Sequence, residues 1–323
     1  MDIHALKKGC DRFLFYTKNF AYYFMPTCFC KSYSMDNLTQ NELRLVEQRI
    51  SYYLRLPKDS HVDVASATQV KDFKYPFGKK KKFATYFFDL YPYVRKAFPE
   101  AYFHYIFGDI DWEAEHPSFV KARPISAEGT NNVICKLNQV RHFRFVKDTI
   151  PFSRKRDQLV FRNIVRKQPN RSAFIKMFIS SPMCNVGQIN NDAYTTNSEW
   201  VKPFMPIAQQ LEYKFIACIE GHDVATNLKW VMSSNSIAVM PRPRFESWFM
   251  EGTLIPDFHY IEVKDDYSDL IDKITYYIEH PHEAEQIIDN AHKYVEQFMN
   301  KRLENIIQQE VVNRYFELTH KYQ

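Results

Sequence analysis

Beyond about residue 150 the chain alternates short apolar runs with amphipathic stretches, and this alternation most narrows the folds open to it. Leu159–Phe161 is a short apolar run, and Phe215–Ile219 reads as a strand that meets Gly221. Asp223–Met232 follows as a helix, with Ser236–Met240 and His259–Val263 as further strands. Ser268 is placed to cap a helix carrying Leu270, Ile271, Ile274, Tyr277 and Ile278 on one face. Two more helices are expected over His282–Phe298 and Arg302–Leu318. Strands separated by helices imply an α/β fold, a parallel sheet covered on both faces whose ligands bind beyond the carboxyl ends of the strands.

The first part of the chain reads differently. Thr39 and Glu42 have capping-box spacing and precede Leu43, Val46, Ile50 and Tyr53 at helical period. An aromatic-rich stretch, Tyr86–Phe98, runs into Pro99, and Tyr102–Phe107 reads as a strand ending at Gly108-Asp109. At 323 residues the chain suits two lobes, here divided as 1–150 and 151–323.

With 45% hydrophobic and 25% charged residues the chain can bury a core and stay in water. No uninterrupted apolar run reaches the roughly 18 residues of a membrane-spanning helix, and no secretory leader pattern is visible, so a cytoplasmic protein is expected. The net charge of +5 favours acidic partners without requiring nucleic acid. Lys79–Lys82, set among Phe73, Tyr75, Phe77, Phe83 and Tyr86, suits a membrane surface or a phosphorylated glycolipid, and equally a solvated loop. Cys10, Cys28, Cys30, Cys135, Cys184 and Cys218 lack zinc-site spacing and read as free buried thiols. His280-Pro281-His282 reads as a solvated turn between helices.

Three constellations carry chemistry. Asp109, at a strand's carboxyl end and freed by Gly108, is placed to act as a general base. Asp109 and Asp111 together also have the spacing of a divalent-cation pair, and a turn-capping role is open as well. Arg162 in Phe161-Arg162-Asn163, with Arg171 downstream, can neutralise a diphosphate. In the third, Gly221 turns a strand into a helix whose free amides favour an anion, with Thr226 and Lys229 three apart on one face. The absence of a Gly-x-Gly-x-x-Gly loop disfavours a nicotinamide enzyme.

Taken in order, these segments resemble glycosyltransferase family 90, the group of capsule-type xylosyltransferases and eukaryotic protein O-glucosyltransferases. The resemblance is strongest from Tyr213 to Leu270: Tyr213-Lys214-Phe215, Glu220-Gly221, Leu228-Lys229-Trp230, Ser234-Asn235-Ser236, Glu246-Ser247-Trp248-Phe249 and Leu254 to Val263. Lys121-Ala122-Arg123-Pro124-Ile125 and Asn138 to Phe143 resemble its bacterial lipopolysaccharide branch. The resemblance spans roughly residues 100–300 and leaves the first 100 uncovered.

It implies a GT-B-like α/β fold, two Rossmann-like lobes with a cleft between them and C-terminal helices. Residues 1–150 would be the acceptor-side lobe carrying the base, and 151–323 the nucleotide-sugar lobe. The implied reaction moves a hexose, with inversion, from a uridine diphosphate sugar to a lipopolysaccharide core acceptor, without cofactor or metal. It would take place at the inner face of the cytoplasmic membrane. Asp109 falls at the base. Arg162, Arg171, Gly221, Thr226, Asn227, Lys229 and Glu246 fall on the donor side, and Asp111, Trp112, Lys121 and Arg123 on the acceptor side. Asn163 stands where the family usually has glycine, and Asn227 where many relatives have arginine. The competing readings are a metal-dependent GT-A transferase using Asp109 and Asp111, a non-catalytic basic protein of the membrane surface, and a degenerate family member.

Overall fold

The computed structural model describes residues 3–31, 33–77, 83–126, 128–192 and 197–320, with side chains from residue 13 onward. Lys79–Lys82 lies outside the described residues. The strands are β1 (Thr68–Gln69), β2 (Tyr102–Tyr105), β3 (Ser118–Val120), β4 (Ala122–Pro124), β5 (Asn132–Ile134), β6 (Arg156–Asn163), β7 (Cys184–Gln188), β8 (Tyr213–Ala217), β9 (Ile237–Met240), β10 (Phe245–Ser247) and β11 (Ile261–Glu262). The helices are α1 (Ile3–Phe24), α2 (Gln40–Tyr53), α3 (Ala84–Val94), α4 (Gln139–His142), α5 (Pro169–Phe178), α6 (Ile207–Gln210), α7 (Leu228–Met232), α8 (Leu270–Glu279), α9 (Pro281–Glu296) and α10 (Lys301–Thr319).

The chain divides into two compact units: Met1–Arg141 with Phe245–Phe249 and Phe298–Gln323, and His142–Arg244 with Met250–Gln297. The chain first crosses between units at Arg141–His142, and β10 and α10 return to the N-terminal unit. They return because α10 packs on α2 and α3, and β10 pairs antiparallel with β4 through Glu246 opposite Arg123.

The central unit is an α/β layer structure. Its five-stranded sheet runs β11-β9-β8-β6-β7, parallel throughout. In chain order this is 2-1-3-4-5, so the order reverses between β6 and β8, where such sheets bind ligands. Leu159, Phe161, Phe215, Ala217, Ile237 and Val239 pack on one face with Phe174 and Phe178 of α5, Leu270 and Ile274 of α8, and Ile287 of α9. On the other face Val160, Ile216, Ala238 and Met240 are buried too. Burial on both faces explains why these strands read as unbroken apolar runs.

The N-terminal unit carries a mixed four-stranded sheet, β1-β2-β3-β5, with β2, β3 and β5 parallel. Loops, not helices, link these parallel strands, which departs from the repeated strand-helix units expected of a second Rossmann-like lobe. Phe119 of β3 lies 4.2 Å from the Tyr315 ring of α10, whose hydroxyl donates to Pro117 O at 2.7 Å.

Several local expectations hold. The Thr39–Glu42 capping box opens α2, with Val46, Ile50 and Tyr53 buried, although Leu43 faces solvent. α9 and α10 lie close to their expected bounds. Two differ. Asp269, not Ser268, precedes α8, and its carboxylate accepts from the Lys264 amide at 2.9 Å instead of capping. Cys135, Cys184 and Cys218 are buried free thiols, but Cys28 is exposed in the short turn after α1. Among the described residues no helix is long and apolar enough to cross a membrane.

Asp89 of α3 is buried and accepts from the Gln139 backbone amide at 2.9 Å and its side chain at 3.2 Å. Burial pushes its carboxyl up from 3.8 to about 7, against the pull of these hydrogen bonds. A folded-state pKa above the unfolded value means that the native state binds the extra proton. The stabilisation is therefore complete below about pH 4 and is lost as pH rises through 7. Denaturant titrations should show a decline of up to roughly 4 kcal/mol from this group across that window. Asp89→Asn should flatten it.

Candidate functional site

The central unit holds an open pocket of about 610 Å³, counting the space continuous with solvent, beyond the carboxyl ends of β8, β9 and β11. Cys218, Ile219 and Glu220 line it from the end of β8, Met240 to Arg244 from the end of β9, and Asp265 and Tyr267 from the loop after β11. Val224, Ala225 and Leu228 form an apolar wall. The polar groups at the mouth are Arg242, which pairs with Glu262 at 3.2 Å, and Arg244, which pairs with Glu220 at 3.4 Å. Both guanidinium groups remain largely exposed. Burial pushes the Cys218 thiol well up and the Tyr267 hydroxyl up to about 12, so neither ionises near neutrality. Met250, beside the lining residue Glu251, and Tyr267 itself adopt left-handed backbone conformations (φ 57° and 60°). Such strain in non-glycine residues persists only where the surroundings impose it.

None of the expected donor-side residues is in this lining, and Glu246 belongs to the N-terminal unit. Arg171 donates from Nε and Nη2 to Ile219 O at 3.2 and 3.1 Å, and from Nη1 to Ile164 O at 3.0 Å. It thereby ties the chain just past β6 to the chain just past β8, at the reversal point of the sheet. Gly221 lies against it: a Cβ there would meet Arg171 Nη2 at 3.1 Å. A side chain there would press on a guanidinium group that its hydrogen bonds to Ile219 O and Ile164 O hold in place. The Gly221 amide donates to Asp223 O at 3.0 Å rather than waiting for an anion.

The expected helix from Asp223 is only the short α7, beginning at Leu228. Thr226 therefore lies in the preceding turn, not on a helical face with Lys229. Lys229 is fully buried and pairs with Glu251. Asn227 donates to Ala217 O at 3.0 Å, and its Oδ1 has no hydrogen-bond partner. Arg162 folds back along the sheet, donating to Asn185 O at 2.7 Å and Asn185 Oδ1 at 2.6 Å, away from the strand ends. Burial lowers its pKa.

Glu246 belongs to the N-terminal unit and is fully buried, accepting from Tyr52, Arg55 and Arg123. Arg123, also fully buried, bonds Glu246 at 2.8 Å and the carbonyls of Tyr52, Tyr53 and Asn132 at 2.6 to 3.0 Å. With so many donors spent internally, the geometry of both residues is that of scaffold.

Asp109 stands in the loop after β2. Gly108 has φ 121°, a conformation that L side chains rarely adopt, and it turns the chain outward there. The Asp109 carboxylate is 37% exposed and forms an ion pair of 2.5 Å with Lys121, whose side chain is 2% exposed. Ile110 anchors the loop in the core. Asn132 staples the following turn, donating to Trp112 O at 2.9 Å and accepting from the Ala114 amide at 2.9 Å. Asp111 and Trp112 are exposed. The structure thus joins Asp109 with Lys121, and Arg171 with Gly221.

Sequence reasoning missed Arg242 and Arg244. The available signal was Pro241-Arg242-Pro243-Arg244 directly after the apolar run that ends at Met240.

A parallel sheet with a pocket at its carboxyl edge, lined in part by two exposed arginines, agrees with the sequence comparisons. Residues 129–322 match the family model described as glycosyl transferase family 90. The chain belongs to that family and is a glycosyltransferase. It is similar to the O-glucosyltransferase LpsA of Dichelobacter nodosus, 38% identical over 278 residues, which is 86% of this chain and 85% of that protein. It is also similar to the uncharacterized protein 179R of Invertebrate iridescent virus 6, 30% identical over 108 residues, 31% of this chain and 9% of that one.

Gly221→Ala forces its methyl against the Arg171 guanidinium. Urea unfolding should report a loss of about 1–3 kcal/mol, the range for overpacking. Arg171→Ala costs stability by itself, through its lost hydrogen bonds, so the double variant should lose less than the sum of the two single losses.

Proposed function

We propose that the protein is a GT-B-type, inverting, metal-independent transferase that moves a hexose from a uridine diphosphate sugar to a sugar of the lipopolysaccharide core. It works at the periphery of the inner face of the cytoplasmic membrane. The observation that carries the donor reading is the pair of exposed arginines, Arg242 and Arg244, over an apolar-walled pocket at the carboxyl edge of the parallel sheet. Exposed guanidinium groups match phosphate oxygens in charge and geometry, and trading a carboxylate partner for a diphosphate keeps each arginine satisfied. Arg171 and Lys229 act from behind, fixing Ile219 and Glu251 of the lining. The name of the Dichelobacter relative supports glucose as the hexose and an oxygen as the acceptor atom.

Asp109 is the general base. It takes the proton of the acceptor hydroxyl as that oxygen attacks the anomeric carbon, and the sugar–phosphate bond breaks with its electrons leaving on the nucleoside diphosphate. Its ion pair with Lys121 supports this reading over a cation pair of Asp109 and Asp111, because an ammonium group stands against the carboxylate that the metal would need. Stabilisation of the diphosphate by arginines supplies what a metal supplies in the rival mechanism.

Asp109→Asn should lower kcat by about 10²-fold or more while leaving uridine diphosphate affinity unchanged by calorimetry. Retained turnover reassigns the base. Arg242→Ala and Arg244→Ala should each weaken uridine diphosphate binding about tenfold in excess chelator. Binding that appears only on adding manganese would reverse the metal assignment.

A further inference from the structure

From residue 13 onward the outer face of α1 exposes Phe13, Leu14, Ala21 and Phe24 beside Thr17 and Lys18. Its inner face is firmly held: Phe20 lies 4.8 Å from Phe88, and Tyr23 lies 4.9 Å from Tyr91. Arg95 closes its carboxyl end, donating to Tyr22 O at 3.0 Å and Met25 O at 2.8 Å. On the other side Phe13, Leu14, Phe24 and Phe29 are each more than 60% exposed. Phe24 stacks at 6.3 Å on Phe77, itself 56% exposed, so a ridge of aromatic rings is presented to water by a rigid support. Clusters of this kind mark interaction surfaces, whereas scattered single residues do not.

The surrounding charge selects the partner. Residues 13–31 carry Lys18 and Lys31, and residues 73–77, which end at Phe77, carry Lys74, with no aspartate or glutamate in either stretch. A second copy docking on the same face would set these lysines against each other. An anionic lipid surface instead takes the rings into its headgroup boundary and the ammonium groups onto its phosphates.

We propose that the outer face of α1, with Phe24, Phe29 and Phe77, is the surface by which the protein lies on an anionic lipid bilayer without crossing it. None of the ridge residues lines the donor pocket, so nucleotide binding in solution reads that pocket independently of this face.

The test is flotation of the purified full chain with phosphatidylcholine vesicles, with and without phosphatidylglycerol, at low and high salt. The wild-type chain should float only with the anionic vesicles and less well at high salt. Phe24→Ser combined with Phe77→Ser should lower its partition about tenfold or more, while the variant still unfolds cooperatively with only a small drop in Tm, because both rings are more than half exposed. Equal flotation of the double variant, or no flotation of the wild type, overturns the proposal. Light scattering that finds a wild-type dimer and a monomeric double variant also overturns it, assigning the face to a second copy of the chain.

Discussion

Two buried carboxylates, Glu246 and Glu304, hold the N-terminal unit together. Glu304 of α10 accepts from Arg49 of α2, from Lys136 after β5, and from the Trp248 indole at 2.8 Å. Glu246 of β10 gathers Tyr52, Arg55 and Arg123. A carboxylate withdrawn from water is tolerated only when nearly every lone pair is answered, so each acts as an all-or-none check on register. Arg49, Tyr53 and Trp248 stack above Glu304, with the Tyr53 and Trp248 rings 4.0 Å apart. Arg123 is also two residues from Lys121, so the segment that Glu246 clamps is the one that presents an ammonium group to Asp109.

This arrangement explains why the sequence was informative about some residues and misleading about others. The strands of the central sheet were legible because both faces are buried, leaving runs such as Phe215 to Ala217 with no polar interruption. α2 was legible because its capping box is local, and α9 because Pro281 opens it. Glu246 and Arg123 read as ligand-binding groups because a charged residue in a family-like motif looks available. Their mutual burial depends on a pairing 123 residues apart, which no local pattern records. Arg162 was placed at the correct strand end, but the direction of its side chain is set by Asn185 on the neighbouring strand.

Gly221 shows a subtler limit. It was read as a turn residue, and the chain does turn there, but its backbone does not need the left-handed region. What a larger residue would meet is the Arg171 guanidinium lying on it. Gly108 is the opposite case, where a φ of 121° itself restricts the position and sequence and structure give the same physical reason. The lining arginines went unnoticed because the Pro-Arg-Pro-Arg segment has no periodicity, and only the position of β9 brings it to the pocket.

The N-terminal unit is assembled from three separate stretches of chain, the last being the one that carries α10. Glu304 and Tyr315, on which its sheet and helices close, are therefore synthesised after every strand of both units. The central unit, whose strands all precede residue 263, can collapse while the first 141 residues still wait for their missing helix. The N-terminal unit thus closes only after the central unit has been made in full, and its early strands stay without the cover of α10 until then.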